Sequence, residues 1–365
     1  MMNRHASPMR DLLREIIEHV NGAVTLTDIH IEQDSPMMLK TPRGWTNASV
    51  EVVTLDDMIP VLQSIDQDWE DKIIESAIDR PFLLTQCRLR CNVYRVGSGA
   101  KVAISIRRLP LQPIALEKTG LPYYVKSMLE PTKGIILVTG PTGSGKTTTI
   151  ASMLEFLNTT RKAHIITIEE PIEYIFSRKQ SIVSQKEVPT DTASFHSGLR
   201  EAMRQKPDVL MVGEIRDFDT ADTVLHAGES GHLVLATMHT NSALSAISKL
   251  LGFFPGDQRD QRAVALSNYL IGVIFQSLIP TENGEEFVLA SEMIFNNNQQ
   301  VAPLIADLSK LNLIGDFIKR KADNMSRSFN DVLAQMVAKK TISSKDAMRS
   351  TYNRLELHEM LNSQR

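Results

Sequence analysis

Apolar and polar positions along this chain follow two different periods, and the switch between them divides it. From Asp11 to Val20 the apolar residues Leu12, Leu13, Ile16, Ile17 and Val20 recur at helical spacing, and Asn21-Gly22 supplies a stop. Thr27–Ile31 then alternates polar with apolar, a turn-rich segment follows, and Ala48–Val53 reads as a strand. Helical spacing returns from Leu55 to Ile78. Phe82–Arg95 alternates again, Gly97-Ser98-Gly99 turns, and Lys101–Leu109 alternates back. This predicts a small α+β domain over residues 1–109, followed by a linker over 110–113 where Pro110-Leu111-Gln112-Pro113 breaks both periods.

Beyond residue 114 the pattern changes to short buried runs separated by helical segments. The runs are Gly134–Val138, His164–Ile168, Asp208–Val212 and Leu233–Thr237, and the helical segments include Thr147–Leu157 and Phe195–Gln205. β-branched runs bounded in this way predict an α/β fold whose largely parallel sheet is covered on both faces. After Asn241 the chain reads as mostly helical. Asn296–Gln300 forms a polar interruption, and Met325–Tyr352 reads as two helices split by Lys339-Lys340-Thr341. There is no internal repeat.

Composition narrows the function. The 365 residues are 42% hydrophobic, enough for two or three ordinary cores. Forty Lys+Arg against 43 Asp+Glu leave a net charge of −3, and aromatic residues make up 5%. Both argue against a DNA-translocating ATPase with a basic, aromatic-lined pore, so no direct nucleic-acid partner is expected. Cys87 and Cys91 are too few for a disulfide framework or a four-cysteine zinc site. The opening MMNRHASPMRDLLREII turns charged before an export signal can form, and no uncharged run is long enough to span a bilayer; a soluble, cytoplasmic protein is expected.

The strongest chemical signal is Gly140-Pro141-Thr142-Gly143-Ser144-Gly145-Lys146-Thr147, with Thr148 following. It lies immediately after a predicted strand and before a predicted helix. Such glycines let backbone N–H groups turn inward around phosphate oxygens. The helix N-terminus adds partial positive charge, Lys146 reaches the β/γ-phosphates, and the Thr147 hydroxyl binds Mg²⁺. Downstream, the run Val209–Val212 leads through Gly213 to Glu214, a carboxylate at the end of a strand that faces the ligand crevice, suited to ordering Mg²⁺ or the attacking water. Thr167–Tyr174 closes another buried strand with Glu169, Glu170 and Glu173. Finally, His232 and His239 bracket the run Leu233–Met238, and a histidine at a strand terminus can respond to the γ-phosphate or relay a subunit contact.

In this order the four elements resemble the secretion-ATPase superfamily, specifically the retraction ATPases of type IV pili, over nearly the whole chain. The resemblance implies a PAS-like N-terminal α+β domain, a RecA-like P-loop ATPase core over 114–290 and a helical C-terminal subdomain over 291–365. Gly140–Thr147 corresponds to the Walker A motif, Ile168–Glu173 to the Asp box, Leu210–Glu214 to Walker B and Gly231–His239 to the His box. By similarity Glu173 and Glu214 are the catalytic and Mg²⁺/water-ordering glutamates, and His232 and His239 the conformational sensors. Arg88, Arg90 and Arg107 fall where the family places arginines presented to a neighbouring subunit's nucleotide. Alternation puts Arg88 and Arg90 on one strand face, and guanidinium suits transition-state phosphate charge.

The resemblance further implies an ATP- and Mg²⁺-dependent homohexamer. It would work at an inner-membrane pilus platform protein, with a second pilus motor ATPase as a further partner. Length and the lack of a four-cysteine insertion point to the retraction branch. Three departures keep alternatives open: Glu170 replaces the family's aspartate, Lys249 replaces an arginine after the His box, and Gln300-Val301-Ala302-Pro303-Leu304-Ile305-Ala306-Asp307 stands where retraction motors carry their own C-terminal signature. The alternatives are a related type IVb pilus, type II/IV secretion or conjugation ATPase, an accessory motor assisting a stronger one, and a nucleotide-gated structural subunit that binds ATP without turnover.

Overall fold

In a computed structural model of the protein, residues 10–22, 25–85, 87–296, 299–320 and 323–363 are described. Most of the charged N-terminal opening, and Asn297 and Asn298 of the polar interruption, lie outside the described residues. The chain divides into two compact units. One runs to Leu111 and includes Asn283–Phe287; the other comprises Gln112–Glu282 and the chain from Val288 onward.

The first unit opens with α1 (Leu12–Asn21), whose N-cap Asp11 accepts from the Arg14 N–H. The strands β1 (Asp28–Glu32), β2 (Ser35–Thr41) and β3 (Gly44–Val53) follow, then the helices α2 (Leu55–Ile65) and α3 (Trp69–Glu75), then β4 (Ile78–Leu83), β5 (Cys87–Val96) and β6 (Lys101–Pro110). The six strands form one antiparallel sheet in the order β3-β2-β1-β6-β5-β4. Leu12, Ile16, Met58, Leu62 and Ile73 of the helices pack on the alternate residues Cys87, Leu89, Cys91 and Val93 of β5 and on Ile29, Ile104 and Ile106. One sheet face is therefore apolar and covered, and the other carries Arg88, Arg90, Asn92 and Tyr94. Both cysteines are buried and unpaired, and burial pushes the Cys91 thiol up to about 12.

Three readings of this region need correction. The helix expected over Leu55–Ile78 is two helices and the start of a strand. It is interrupted at Asp66, whose carboxylate takes hydrogen bonds from the Asp68 N–H and Lys72. The strand expected over Phe82–Arg95 is two strands, parted between Leu83 and Cys87. The turn-rich segment before Ala48 contains β2 and the first part of β3, because β2 pairs with β1 on one side and with β3 on the other.

The second unit contains β7 (Gly134–Thr139), α4 (Lys146–Thr160), β8 (His164–Glu169), β9 (Ile182–Glu187), α5 (Phe195–Ala202), β10 (Val209–Val212), α6 (Phe218–Glu229), β11 (Leu233–Met238), α7 (Ala243–Gly252), α8 (Arg259–Tyr269), β12 (Leu270–Pro280) and β13 (Phe287–Phe295). The sheet order is β13-β12-β7-β11-β10-β8-β9, and every pairing from β12 to β9 is parallel. Successive residues of β7 enter opposite cores: Ile135 and Leu137 join the one lined by α5–α8, and Ile136 and Val138 the one lined by α4.

The helices α9 (Ala302–Ala306), α10 (Leu313–Lys319), α11 (Phe329–Ala338), α12 (Ser344–Ser350) and α13 (Arg354–Ser363) complete the chain. Ile305, Ile314, Phe329, Ala347 and Leu357 pack into the same core as α5–α8. Two expectations fail here. The region after Asn241 starts helical with α7 and α8 but is interrupted by strands, because β12 and β13 extend the sheet. Their near-continuous apolar runs lack the alternation that identifies a half-exposed strand. The sheet also continues past residue 290 to Phe295, and β9, not expected at all, closes its far edge. Among the described residues no helix is long and apolar enough to cross a membrane.

Candidate active site

Strand β7 delivers the chain into Gly140–Gly145, and α4 begins at Lys146. Gly140, Gly143 and Gly145 have φ of +147°, +78° and +84°, so the loop can turn its amides inward. At Gly140 a side chain is excluded twice over, because a Cβ would collide with the Gln276 carbonyl and come within 2.7 Å of Ser144 Oγ. Pro141, Thr142 and Gly143 are exposed, Ser144 and Lys146 are buried, and Thr147 and Thr148 are half-buried in the first turn of α4. The loop is braced from behind by Gln276 of β12, fully buried, whose Nε2 donates to the Ser144 carbonyl at 2.7 Å.

Lys146 Nζ donates to the carbonyls of Gly140 and Pro141, both at 2.9 Å, and lies 3.3 Å from His239 Nδ1. Desolvation lowers this ammonium from its ordinary value to about 8, while Glu214 and Glu173 pull it back up. On the other side of the imidazole, His239 Nε2 faces Glu214 Oε1 at 3.5 Å. With Nδ1 turned to an ammonium, the ring proton of neutral His239 belongs on Nε2, toward the carboxylate. Glu214 Oε2 then accepts from Arg216 Nε at 2.8 Å, and Arg216 Nη1 reaches Glu170 Oε2 at 3.0 Å. A lysine, an imidazole, two carboxylates and a guanidinium thus form one connected chain at the C-terminal ends of β7, β10 and β11, where open parallel sheets bind ligands.

Glu173 sits in the segment after β8, near enough to contribute to the electrostatics of Lys146. Its neighbour Tyr174 is buried, with its hydroxyl 2.8 Å from Thr148 Oγ1 in the first turn of α4. Glu169 is also buried and accepts from Thr167 Oγ1 at 2.6 Å; burial raises its pKa.

A phosphate-bearing ligand and Mg²⁺ fit the residues present. Ser144 Oγ is buried without a hydrogen-bond partner inside a loop shaped by three positive-φ glycines. Among the described residues no group of three or more His, Cys, Asp or Glu gathers as for a protein-built metal cage. Mg²⁺ instead favours one or two protein oxygens plus phosphates and water, and Thr147 and Glu214 offer such oxygens.

Comparisons with known proteins show the family. The family described as type II/IV secretion system protein matches residues 86–356. The chain belongs to that family. A twitching motility protein of Neisseria gonorrhoeae is 33% identical over 319 residues, covering 87% of this chain and 84% of the relative. The type IV pilus ATPase PilT of Pseudomonas aeruginosa is 34% identical over 261 residues, 71% of this chain and 75% of its own. A crystal structure of the pilus retraction motor PilT with bound ADP shares 35% identity and superposes with a TM-score of 0.80, over 96% of this chain and 99% of that one.

Not every expected residue joins the site. His232 precedes β11 and His239 follows it, so the six-residue strand holds them apart; His232 Nδ1 lies 3.0 Å from the Ala227 carbonyl. The two histidines bracket the strand as the sequence predicts, and only His239 reaches Lys146 and Glu214. In the first unit Arg90 and Arg107 are directly opposite on β5 and β6, and Arg88 shares their sheet face. Arg90 Nη2 pairs with Asp79 at 2.5 Å and Arg107 Nε with Asp28 at 2.8 Å. Lys249 donates to the His239 carbonyl at 3.0 Å, a single-point contact that needs no guanidinium fork.

Several positioning groups escaped sequence reasoning. Gln276 reaches across 132 positions, and Glu292 of β13, buried, accepts the Ala243 N–H that starts α7 at 2.7 Å. Neither carries a local motif; only a pair of polar residues inside each apolar run, Gln276-Ser277 and Ser291-Glu292, signals it.

Proposed function

We propose that this chain is an ATP-hydrolysing motor that drives type IV pilus retraction, acting as a cytoplasmic homohexamer docked on an inner-membrane platform protein. The observation that carries the reading is the contact chain from the P-loop lysine through His239 to Glu214. Its two ends are the groups that a triphosphate and its Mg²⁺ require.

In the proposed mechanism the amides of Gly140–Thr147 bind the β- and γ-phosphate oxygens, and the N-terminus of α4 adds its partial positive charge. Lys146 exchanges its contacts with the Gly140 and Pro141 carbonyls for phosphate oxygens, whose negative charge favours the protonated amine. Glu173 orients the attacking water and accepts its proton at a carboxylate oxygen, and Glu214 is held ready by His239 and Arg216. Thr147 and Glu214 would hold Mg²⁺, which would supply neutralisation of developing phosphate charge. Arg88, Arg90 and Arg107 act from the first unit on a neighbouring subunit's nucleotide. That role would exchange their carboxylate partners for phosphate.

The test has two arms. Lys146→Ala abolishes both ADP binding and turnover in the purified chain; retained hydrolysis refutes the nucleotide assignment. In cells, deletion of the protein leaves pili that extend without retracting, seen as hyperpiliation. Bald cells would assign the motor to assembly instead. Arg107→Ala with turnover equal to wild type at matched oligomer state removes the role in trans.

A further inference from the structure

The segment between β8 and β9 carries Glu173, and several backbone groups on either side of that residue are fastened by side chains. Glu187 Oε2 accepts the Ile172 N–H at 3.1 Å. The Glu173 N–H reaches the buried carboxylate of Glu169. Gln185 Nε2 donates to the Tyr174 carbonyl at 2.8 Å and to Glu169 Oε1 at 3.1 Å, while Gln185 Oε1 accepts the Phe176 N–H at 3.0 Å. Gln185 and Glu187 are two apart on β9, so they share a sheet face. The same segment is tied to α4 by Tyr174 on Thr148, and by the buried Asn158, whose Nδ2 donates to the Ser177 carbonyl at 2.9 Å and whose Oδ1 accepts the Lys179 N–H.

A surface connection needs no such fastening, because water satisfies its backbone groups. Here the amide of Gln185 makes two hydrogen bonds to the chain after Glu173 and one to Glu169, and the carboxylate of Glu187 makes one to the chain before it. The loop cannot slide along its own axis without breaking several at once. We infer that Gln185 and Glu187 are positioning residues for hydrolysis: an edge-strand clasp that fixes the carboxylate of Glu173 against the first turn of α4. This rests on the role proposed above for Glu173. It goes further by assigning the β9 edge a part in turnover that neither residue's own chemistry would suggest. Misplacing a catalytic group by about 1 Å costs up to about 10²-fold in rate, and the clasp acts on that distance while touching no phosphate.

The experiment measures kcat, KM for ATP, ADP affinity by calorimetry and thermal midpoint for four variants of the full chain. Glu173→Gln sets the reference: if it turns over like wild type, the reading of Glu173 fails and the clasp has nothing to position. With that reference inactive, Gln185→Leu and Glu187→Leu lower kcat by about tenfold to 10²-fold, with ADP affinity within about twofold of wild type. Glu187→Gln, which keeps an oxygen for the Ile172 N–H, recovers most of what Glu187→Leu loses. Unchanged kcat in both leucine variants overturns the inference. So does an equal fall in ADP affinity and kcat, which would mark general loosening of the nucleotide site. Should Gln185→Leu fail to fold, the Glu187 pair decides alone.

Discussion

Three elements of the parallel-sheet unit carry the same kind of side chain at both ends, and the two ends behave differently. Helix α4 starts at Lys146 and is followed by Arg161; β10 lies between Asp208 and Glu214; β11 lies between His232 and His239. At one end Lys146, His239 and Glu214 contact one another. At the other, Arg161, Asp208 and His232 line a common cleft, yet each is bound to backbone. Arg161 donates to the carbonyls of Leu129, Glu130 and Pro131, Asp208 accepts the His164 N–H, and His232 contacts the Ala227 carbonyl. Residue type does not assign function here; strand direction does. Side chains at the C-terminal edge meet over a glycine loop with inward amides, and those at the N-terminal edge close off chain ends.

Exchanging members of each pair breaks or sharpens that contrast. The largest effect is expected for the cations. Lys146→Ala removes the charge that faces phosphate, and turnover falls by about 10³-fold. Arg161→Ala leaves three carbonyls short of a donor and costs about 1–3 kcal/mol of stability. Its kcat stays within about threefold when assayed well below its melting point. Turnover and thermal melts on the two proteins decide this, and comparable turnover losses would dissolve the distinction.

The acids come next. Glu214→Gln keeps the shape but loses the charge that His239 and Arg216 face, and kcat is expected to fall about 10²-fold. Asp208→Asn keeps an oxygen for the His164 N–H and shifts stability by about 0.5 kcal/mol or less. For the histidines, His239→Ala unlinks Lys146 from Glu214 and lowers kcat by about tenfold to 10²-fold. His232→Ala loses one contact to a carbonyl, about 1 kcal/mol, and keeps its turnover. A kcat loss in His232→Ala matching that of His239→Ala would give His232 the conformational-sensor role that the family resemblance implies.

Legibility in the sequence follows the distance over which each feature is built. The P-loop is contiguous and flanked by its own strand and helix, so Gly140–Thr148 and the α/β character of the region were readable directly. Glu214 was readable because it ends an apolar run, and the family resemblance supplied the role of Glu173. Gln276 was not, because a buried amide inside an apolar strand acquires meaning only when β12 pairs with β7. Likewise β9 has mixed burial and no clean period, and its clasp on Glu173 exists only once it lies beside β8. The separation of His232 from His239 follows from the strand between them. Spacing within a motif places two histidines in one short run, but a strand's rise of about 3.3 Å per residue carries them to opposite edges of the sheet.

The smallest expected effect concerns stability and pH, and it tests whether the active edge stores unfavourable charge that the far edge does not. Burial holds the Lys146 ammonium near 8 in the folded protein against an ordinary 10.5. The native state therefore binds fewer protons than the unfolded chain between those values, and stability rises with pH across that window. Below pH 8 the full penalty is present, about 3 kcal/mol for a shift of that size. Lys146→Met removes it but also removes donors to two carbonyls, each worth about 1 kcal/mol. The variant without nucleotide should then be more stable than wild type by about 1 kcal/mol at pH 7, with the advantage gone by pH 10. Thermal melts at both pH values read this directly, and saturating ADP with Mg²⁺ should reverse the order by stabilising only the wild type. If Lys146→Met instead melts lower at pH 7, the lysine is a net stabilising contact like Arg161, and the two edges differ in chemistry alone.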